Sequence, residues 1–331
     1  MIQVQVTRRC NLRCAHCYAE AGPEHSSFLS LADLGRFLPE ASRVGYSYVG
    51  VSGGEPLLWG ELDPFLDLAA SAGMSTSVVT NGTLLTKQRA ECLKGRVGLV
   101  AVSVDGPPED HAIMRRSDDA FHRMREGISA LRSAQVPFVL VFTLTMHNAH
   151  RLPWLYRFAV EEGATGIEIH PLCEFGSAKT NLHNAVPDTQ EFEAAAWLLA
   201  DLVEEQGPGG PAVVFDVVRR TYLEACRWPW LVGDEAAQNA ARFSDLVPSI
   251  VVEPDGSVVP FIYGFPRRWQ LSRLGQPFEA SVDPWRLHHS RSIGEIICSV
   301  SSNLARTQVT YADLLGEVLA AATRVAGFAQ L

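Results

Sequence analysis

The sequence predicts an α/β fold built on parallel strands, and three observations predict it. Short apolar strands alternate with amphipathic helices of about 10 to 15 residues through the first half. Six strands can be counted by Ile169. The segments rich in Gly, Asn, Asp and Pro all fall directly after strands. Ile2 to Thr7 alternates apolar and polar residues, as a half-buried strand does. Ser30 with Asp33 resembles a capping box and opens an amphipathic helix to about Val44. The strand Tyr48 to Val51 ends in Ser52-Gly53-Gly54-Glu55-Pro56. A helix from about Leu62 to Ala72 leads to the strand Thr76 to Val79, ending in Thr80-Asn81-Gly82. A helix near Thr86 to Leu93 precedes the strand Val97 to Val104, closed by Asp105-Gly106-Pro107-Pro108. Ala120 to Ser133 and Leu152 to Glu162 read as helices, Phe138 to Thr145 and Gly166 to Ile169 as strands. Any one of these Gly- and Pro-rich exits would serve as an ordinary turn. Four strand exits, these three and His170-Pro171-Leu172-Cys173, in register with a cysteine-rich loop point to function, because parallel α/β folds assemble active sites at the strand exits.

Beyond the helix Gln190 to Glu205 stands Gly207-Pro208-Gly209-Gly210-Pro211, the strong linker signal of the chain. It divides a core of residues 1–206 from an extension of residues 207–331. In the extension, Val213 to Val218 reads as a strand. Ser249 to Val252 and Val258-Val259 form a hairpin about Asp255-Gly256, and Tyr311 to Val325 reads as a terminal helix. With 331 residues, 47% hydrophobic and 20% charged, there is material for a large core and no case for disorder. Lys and Arg number 28 against 37 Asp and Glu, a net charge of -9 that argues against nucleic acid as a partner. No apolar run is long enough to span a membrane and the start has no signal-peptide core, so a cytoplasmic protein without a membrane partner is expected.

Cys10, Cys14 and Cys17 crowd into the loop after the first strand with spacing Cys-x3-Cys-x2-Cys. Three thiolates so placed can hold three irons of a cubane and leave the fourth open. Zinc with His16 as fourth ligand is the weaker alternative, because His16 and Cys17 compete for one approach.

The run Cys10-Asn-Leu-Arg-Cys14-Ala-His-Cys17-Tyr18 resembles the signature of the radical S-adenosylmethionine enzymes. The resemblance continues through Gly53-Gly54-Glu55-Pro56, Thr80-Asn81-Gly82, Ser103-Val-Asp105-Gly106, Arg115, Thr145-x2-Asn148 and His170-Pro-Leu-x3-Gly176-x-Ala178. It implies a partial (β/α)6 TIM-like barrel with a smaller α+β extension, one [4Fe-4S] cluster on Cys10, Cys14 and Cys17, and S-adenosylmethionine chelated to the open iron. One electron then cleaves the sulfonium to methionine and a 5′-deoxyadenosyl radical, and the protein positions and shields this chemistry. By the same resemblance Glu55 accepts from the methionyl ammonium, Gly53 and Gly54 allow close approach, and Arg115 pairs with the methionyl carboxylate. Ser103 and Asp105 are candidates for the ribose hydroxyls, His16 for packing near the adenine, and Asn81 and Thr145 for further cofactor contacts. An external electron donor such as flavodoxin or ferredoxin is implied.

The match is closest to the branch that modifies peptides and haem, whose SPASM or Twitch extension usually carries further clusters. Ile250 to Pro260 resembles the hairpin opening that extension, but Phe261 stands where the family usually has a cysteine. Cys173, Cys226 and Cys298 are widely spaced, so an extension free of clusters that shapes the substrate pocket is expected. Cys92, Cys226 and Cys298 read as packing residues and His288-His289 as surface residues. Cys173, after the sixth strand, is a candidate hydrogen-atom donor to a substrate radical, with His170 and Glu174 as candidate substrate contacts. The function expected is hydrogen abstraction from a ribosomally made peptide, with a separate leader-binding protein to deliver it. The alternatives are the same chemistry on a nucleoside sugar, amino acid or tetrapyrrole, or an iron-sulfur sensor, which would not need Glu55 or Arg115. Epimerisation, crosslinking, oxidation and elimination all remain open as the reaction type.

Overall fold

The computed structural model describes residues 1–225, 228–232, 240–307 and 310–328. Seven strands lie side by side in sequence order: β1 (Ile2–Gln5), β2 (Tyr48–Ser52), β3 (Ser75–Thr80), β4 (Leu99–Ser103), β5 (Phe138–Leu144), β6 (Gly166–Pro171) and β7 (Ala212–Phe215). Every neighbouring pair among them is parallel. The helices α1 (Leu31–Arg43), α2 (Leu62–Ser71), α3 (Lys87–Leu93), α4 (Pro108–Arg115), α5 (Ala120–Ala134) and α6 (Leu152–Glu162) fill the crossovers. After β6 come the short α7 (Ser177–Asn181) and the long α8 (Thr189–Gln206). Parallel strands need such crossovers, which is why the apolar beat of the sequence is also the layering of the fold.

Strand alternation separates two faces. Val4, Val51, Val78, Val100, Leu140 and Ile167 are buried in one core with Leu34, Phe65 and Leu131 of the helices. The intervening residues, among them Gln5, Ser52, Ala101, Ser103, Thr143 and Glu168, take the inner face, which is small and polar. Among the described residues no strand pairs with the outer edge of β7, where Ala212 and Val214 are exposed.

Several element limits differ from those the sequence predicts. The Gly-Pro stretch at 207–211 leads into β7, which pairs with β6, so the sheet continues across residue 207. The strand expected to run to Val218 stops at Phe215, and Val218–Arg219 pairs instead with Tyr311–Ala312. On the other flank β8 (Ile250–Val252) is parallel to β1, and β9 (Ser257–Pro260) and β10 (Ser272–Arg273) continue the sheet antiparallel. Two helices follow, α9 (Glu279–Arg306) and α10 (Leu314–Phe328). Among the described residues no helix is long and apolar enough to cross a membrane.

The buried Tyr46 ties the barrel to the segment that feeds β8, its hydroxyl donating to the Val247 carbonyl at 2.7 Å. Tyr46→Phe leaves that carbonyl without its donor and should lower the unfolding free energy by about 1–3 kcal/mol. Urea titration monitored by circular dichroism measures the loss, and an unchanged midpoint would show the tie to be dispensable.

Candidate active site

The exits of β1, β2, β3 and β4 meet at one edge of the sheet. The loop after β1 carries Cys10, which is buried, and Cys14 and Cys17, which are half-buried; none is in a disulfide. Each sulfur receives a protein donor. Leu12 N–H reaches Cys10 Sγ at 3.5 Å, Arg115 Nη1 reaches Cys14 Sγ at 3.7 Å, and Ala21 N–H reaches Cys17 Sγ at 3.3 Å. Burial pushes the Cys10 thiol up to about 12 and also raises Cys14, with Arg115 pulling Cys14 back. Loading such a site with metal therefore releases protons. Among the described residues no three His, Cys, Asp or Glu side chains converge on a single ion.

The loop is held by its neighbours. Gly54 N–H donates to the Thr7 carbonyl at 2.7 Å and Glu55 N–H to the Arg9 carbonyl at 2.9 Å. A Cβ on Gly53 would lie 2.6 Å from the Thr7 oxygen, and one on Gly54 would overlap the Arg9 carbonyl. Gly53 also has φ +136°, a conformation that side chains disfavour. The close approach that these glycines permit is thus to the cysteine loop itself. On the opposite side Ser177 N–H of α7 donates to the Cys17 carbonyl at 2.8 Å, and Ala15 N–H donates to the Met114 carbonyl of α4 at 2.8 Å.

Glu55 is fully buried. Its Oε1 accepts from Thr80 Oγ1 at 2.8 Å and Leu57 N–H at 3.1 Å, and its Oε2 from Asn81 N–H at 2.9 Å. Asn81 Nδ2 then reaches Asn11 Oδ1 at 3.0 Å and Cys10 Sγ at 3.8 Å. Three of the carboxylate's acceptor positions are in use, which leaves room for one further donor.

Asp105 is also fully buried, and protein groups engage it. Arg115 Nε donates to Oδ2 at 2.6 Å, and His16 Nε2 lies 3.3 Å from Oδ1 and 3.2 Å from Oδ2. Burial alone would raise the Asp105 carboxyl, but Arg115 and His16 outweigh it and hold the group below the usual carboxylate range. Burial likewise works against the Arg115 charge, and Asp105 and Cys14 outweigh it. The pair occupies the Nε side of Arg115, and Nη1 faces the sulfur of Cys14. His111, which the sequence reading passed over, completes the cluster: its Nδ1 accepts from Asp105 N–H at 3.2 Å, and burial and Arg115 lower it to about 4. Its position, four residues before Arg115 on α4, places it on the same helix face, a spacing that would have marked it.

The other expected residues divide. Ser103 ends β4 on the inner face, half-buried. Thr145 and Asn148 close the exit of β5 on themselves, Thr145 N–H donating to Asn148 Oδ1 at 2.7 Å and Asn148 Nδ2 to the Thr143 carbonyl at 2.8 Å. Cys173 follows β6 and is half-buried; burial, with Asp313 and Asp216, pushes its thiol up to about 12, so it stays protonated at neutral pH. Phe261 is buried after β9 with φ +67°, edge-on to Trp228 at 5.9 Å and Phe265 at 5.4 Å. An aromatic cluster fills the place of the absent cysteine. Cys92 is half-buried on α3, Cys298 is exposed on α9, and Cys226 lies outside the described residues. His288 is exposed and His289 lies against Trp285.

Residues 4–159 match the model of the radical SAM superfamily, and with this exit edge they constitute a radical SAM domain, whose cofactors are a [4Fe-4S] cluster and S-adenosylmethionine. The AdoMet-dependent heme synthase of Nitratidesulfovibrio vulgaris is 30% identical over 196 residues, 58% of this chain and 53% of that protein. The Fe-coproporphyrin III synthase of Methanosarcina barkeri is 28% identical over 244 residues, 73% of this chain and 60% of that protein. The chain thus spans between half and three fifths of the length of these curated relatives. Among solved structures, Streptococcus suis SuiB bound to precursor peptide SuiA superposes with a TM-score of 0.67 at 14% identity, over 95% of this chain and 70% of that one. Native anSMEcpe with bound AdoMet gives 0.65 at 16% identity, over 99% of both chains. At these identities the likeness is one of fold.

The donor set fits the cluster: three free sulfurs on one loop, each with an N–H in place, beside a buried carboxylate with one acceptor position left. Burial raises the Glu55 carboxyl from 4.5 to about 7, against the hydrogen bonds from Asn81, Thr80 and Leu57. A carboxyl that binds its proton more tightly when folded favours the folded state below about pH 4.5, and this contribution is lost as pH rises through about 7. In the cluster-free protein Glu55→Gln should remove a pH-dependent loss of at most about 3 kcal/mol across that window. Urea titrations of both proteins from pH 4.5 to 8 check it, and parallel pH profiles would show Glu55 to be ionised throughout.

Proposed function

We propose that the protein is a radical enzyme that removes a hydrogen atom from a peptide held on the inner face of the partial barrel. The observation that carries the reading is the meeting of three donor-supported cysteine sulfurs with buried Glu55 and the Asp105–Arg115 pair at one sheet edge. When bound, the cluster and S-adenosylmethionine supply a one-electron cleavage to methionine and a 5′-deoxyadenosyl radical. The chain's own residues bind and orient. Glu55 offers its remaining acceptor position to the methionyl ammonium, and Arg115, held by Asp105, offers its outer nitrogens to the carboxylate. Gly53 and Gly54 keep the cysteine loop in place, Asn81 ties Glu55 to that loop, and His16 flanks it. Ser103 faces inward from β4, a place for a ribose hydroxyl, and Thr145 shapes the exit of β5. Residues 207–331 shape the substrate pocket, and Phe261 with its aromatic neighbours excludes a second cluster there. An external flavodoxin or ferredoxin supplies the electron, and a separate protein delivers the peptide leader.

A peptide is favoured over a small molecule by the outer edge of β7, which pairs with no other strand among the described residues and could take an extended chain, and by the fold shared with SuiB and anSMEcpe over nearly the whole chain. A tetrapyrrole substrate is the second reading, and the heme and coproporphyrin synthase relatives favour it. Cys173 is proposed as the hydrogen donor that ends the reaction. Its S–H passes a hydrogen atom to the substrate carbon, and the thiyl radical left behind takes one electron and one proton, the electron from the external donor, before the next turnover.

The reconstituted protein, reduced anaerobically, should bind about four irons per chain and convert S-adenosylmethionine to methionine and 5′-deoxyadenosine. In deuterated water the product should gain deuterium, and Cys173→Ala should abolish that incorporation while cleavage continues. Mass spectrometry reads both. Absence of 5′-deoxyadenosine would overturn the enzyme reading, and normal deuterated product from Cys173→Ala would reduce that residue to packing.

A further inference from the structure

We propose that the inner exit of β6 and β7 is a subsite for a positively charged side chain of the substrate, a protonated amine or a guanidinium. The inference rests on the radical-enzyme reading above and narrows its substrate class.

Ile167 and Ile169 are buried in the core, so alternation puts Glu168 and His170 on the inner face of β6. Asp216 follows β7 directly. His170 Nδ1 lies 3.1 Å from Asp216 Oδ2, and its Nε2 lies 3.8 Å from Glu168 Oε2. The pairing of Tyr311–Ala312 with Val218–Arg219 brings Asp313 to the same place, near enough to act on both His170 and Cys173. Among the described residues, Glu168, Asp216 and Asp313 form no ion pair with a lysine or arginine. Three carboxylates thus face one imidazole. Burial raises the Asp313 carboxyl, yet Glu168 and Asp216 alone outnumber a protonated His170, and the excess of negative charge attracts a cation.

A separate observation comes from the neighbouring inner face of β1. Gln5 is fully buried on the inner face of β1, between the core residues Val4 and Val6. Its Nε2 donates to Tyr18 Oη at 2.8 Å, while its Oε1 is buried with no donor among the described residues. A buried amide oxygen left without a donor is a rarity in native proteins and asks for a ligand N–H. Tyr18 stands edge-on to Tyr263 with ring centroids 5.1 Å apart, and Cys173 lies within electrostatic range of Tyr18. The loop after β6 packs on Tyr18, with Gly176 against the Tyr18 carbonyl, so Gln5 and the tyrosines adjoin Cys173, whose thiol feels Asp216 and Asp313. The carboxylates and the aromatic rings are surroundings that suit an ammonium or guanidinium. The propionates of a tetrapyrrole would meet like charge here.

The test uses the full reconstituted chain with S-adenosylmethionine and three pools of acetylated, amidated tripeptides with randomised flanks and lysine, norleucine or glutamate at the centre. Equilibrium dialysis with mass spectrometry reads the retention of each pool, and coproporphyrin III is dialysed in parallel. The lysine pool should be retained about tenfold better than its uncharged isostere norleucine, with glutamate weakest. Asp216→Asn with Asp313→Asn should bring the lysine-to-norleucine ratio toward one. Asparagine at 313 keeps the side-chain oxygen that accepts from Gly316 N–H at 2.8 Å. Should the double variant unfold, Asp216→Asn alone, at an exposed position, must lower the ratio severalfold. Equal retention of lysine and norleucine, a ratio unmoved by the variants, or preferential retention of coproporphyrin or glutamate would overturn the subsite. Formation of 5′-deoxyadenosine by the unvaried protein is scored separately. Its failure removes the enzyme reading, whereas cleavage without charge preference removes only this inference.

Discussion

The site depends on the contact between the exit of β2 and the loop leaving β1. Two backbone hydrogen bonds, from Gly54 to Thr7 and from Glu55 to Arg9, draw the strands' exits together at a distance that leaves no room for a Cβ on either glycine. Everything else at this edge follows from that approach. It fixes the loop that carries Cys10, Cys14 and Cys17, and it turns Glu55 inward, where Thr80 and Asn81 of the β3 exit can reach it. Parallel strands supply the framework because their exits all lie on one side, but the glycines decide how near the first two loops come.

Buried charge is the second constraint. Asp105 and Arg115 are ten residues apart, on either side of a tight turn into α4, and each is buried only because the other is present. Such a pair adds little to stability, yet removing one partner strands the other in an apolar setting. Its value here is positional: it orients the guanidinium toward Cys14 and draws His16 over the carboxylate. The inner face beyond it is polar and acidic toward β6 and β7, so the edge that holds the cofactors and the edge proposed to hold substrate differ in charge.

Much of this was legible in the sequence. The apolar beat gave β1 to β6 and their helices to within a few residues, since each strand and helix buries the face that its periodicity marks. The cysteine spacing and the Gly-Gly-Glu-Pro segment marked two of the strand exits that the fold brings together. Four features were not legible, for different reasons. Helix α4 was hidden because Asp105-Gly-Pro-Pro reads as a turn, although Pro108 is well suited to a first helical position. Helix α9 was hidden by its polar surface and by Pro284 inside it. The closure of His16 on Asp105, 89 residues away, and the assembly of Asp216 with Asp313 through the Val218–Tyr311 pairing are tertiary facts that no local pattern records.

The extension follows the same logic with another outcome. Its hairpin continues the sheet beyond β1, and Phe261, in a left-handed conformation that costs a large side chain about 1–2 kcal/mol, is held there by Trp228 and Phe265. The central claim, that the β1–β4 exits hold one cluster with an iron open to S-adenosylmethionine, is tested most directly by electron paramagnetic resonance of the reconstituted, one-electron-reduced protein. The account predicts the signal of a single [4Fe-4S] cluster that changes in shape when S-adenosylmethionine is added. A signal indifferent to S-adenosylmethionine, or the spectrum of two interacting clusters, would contradict it.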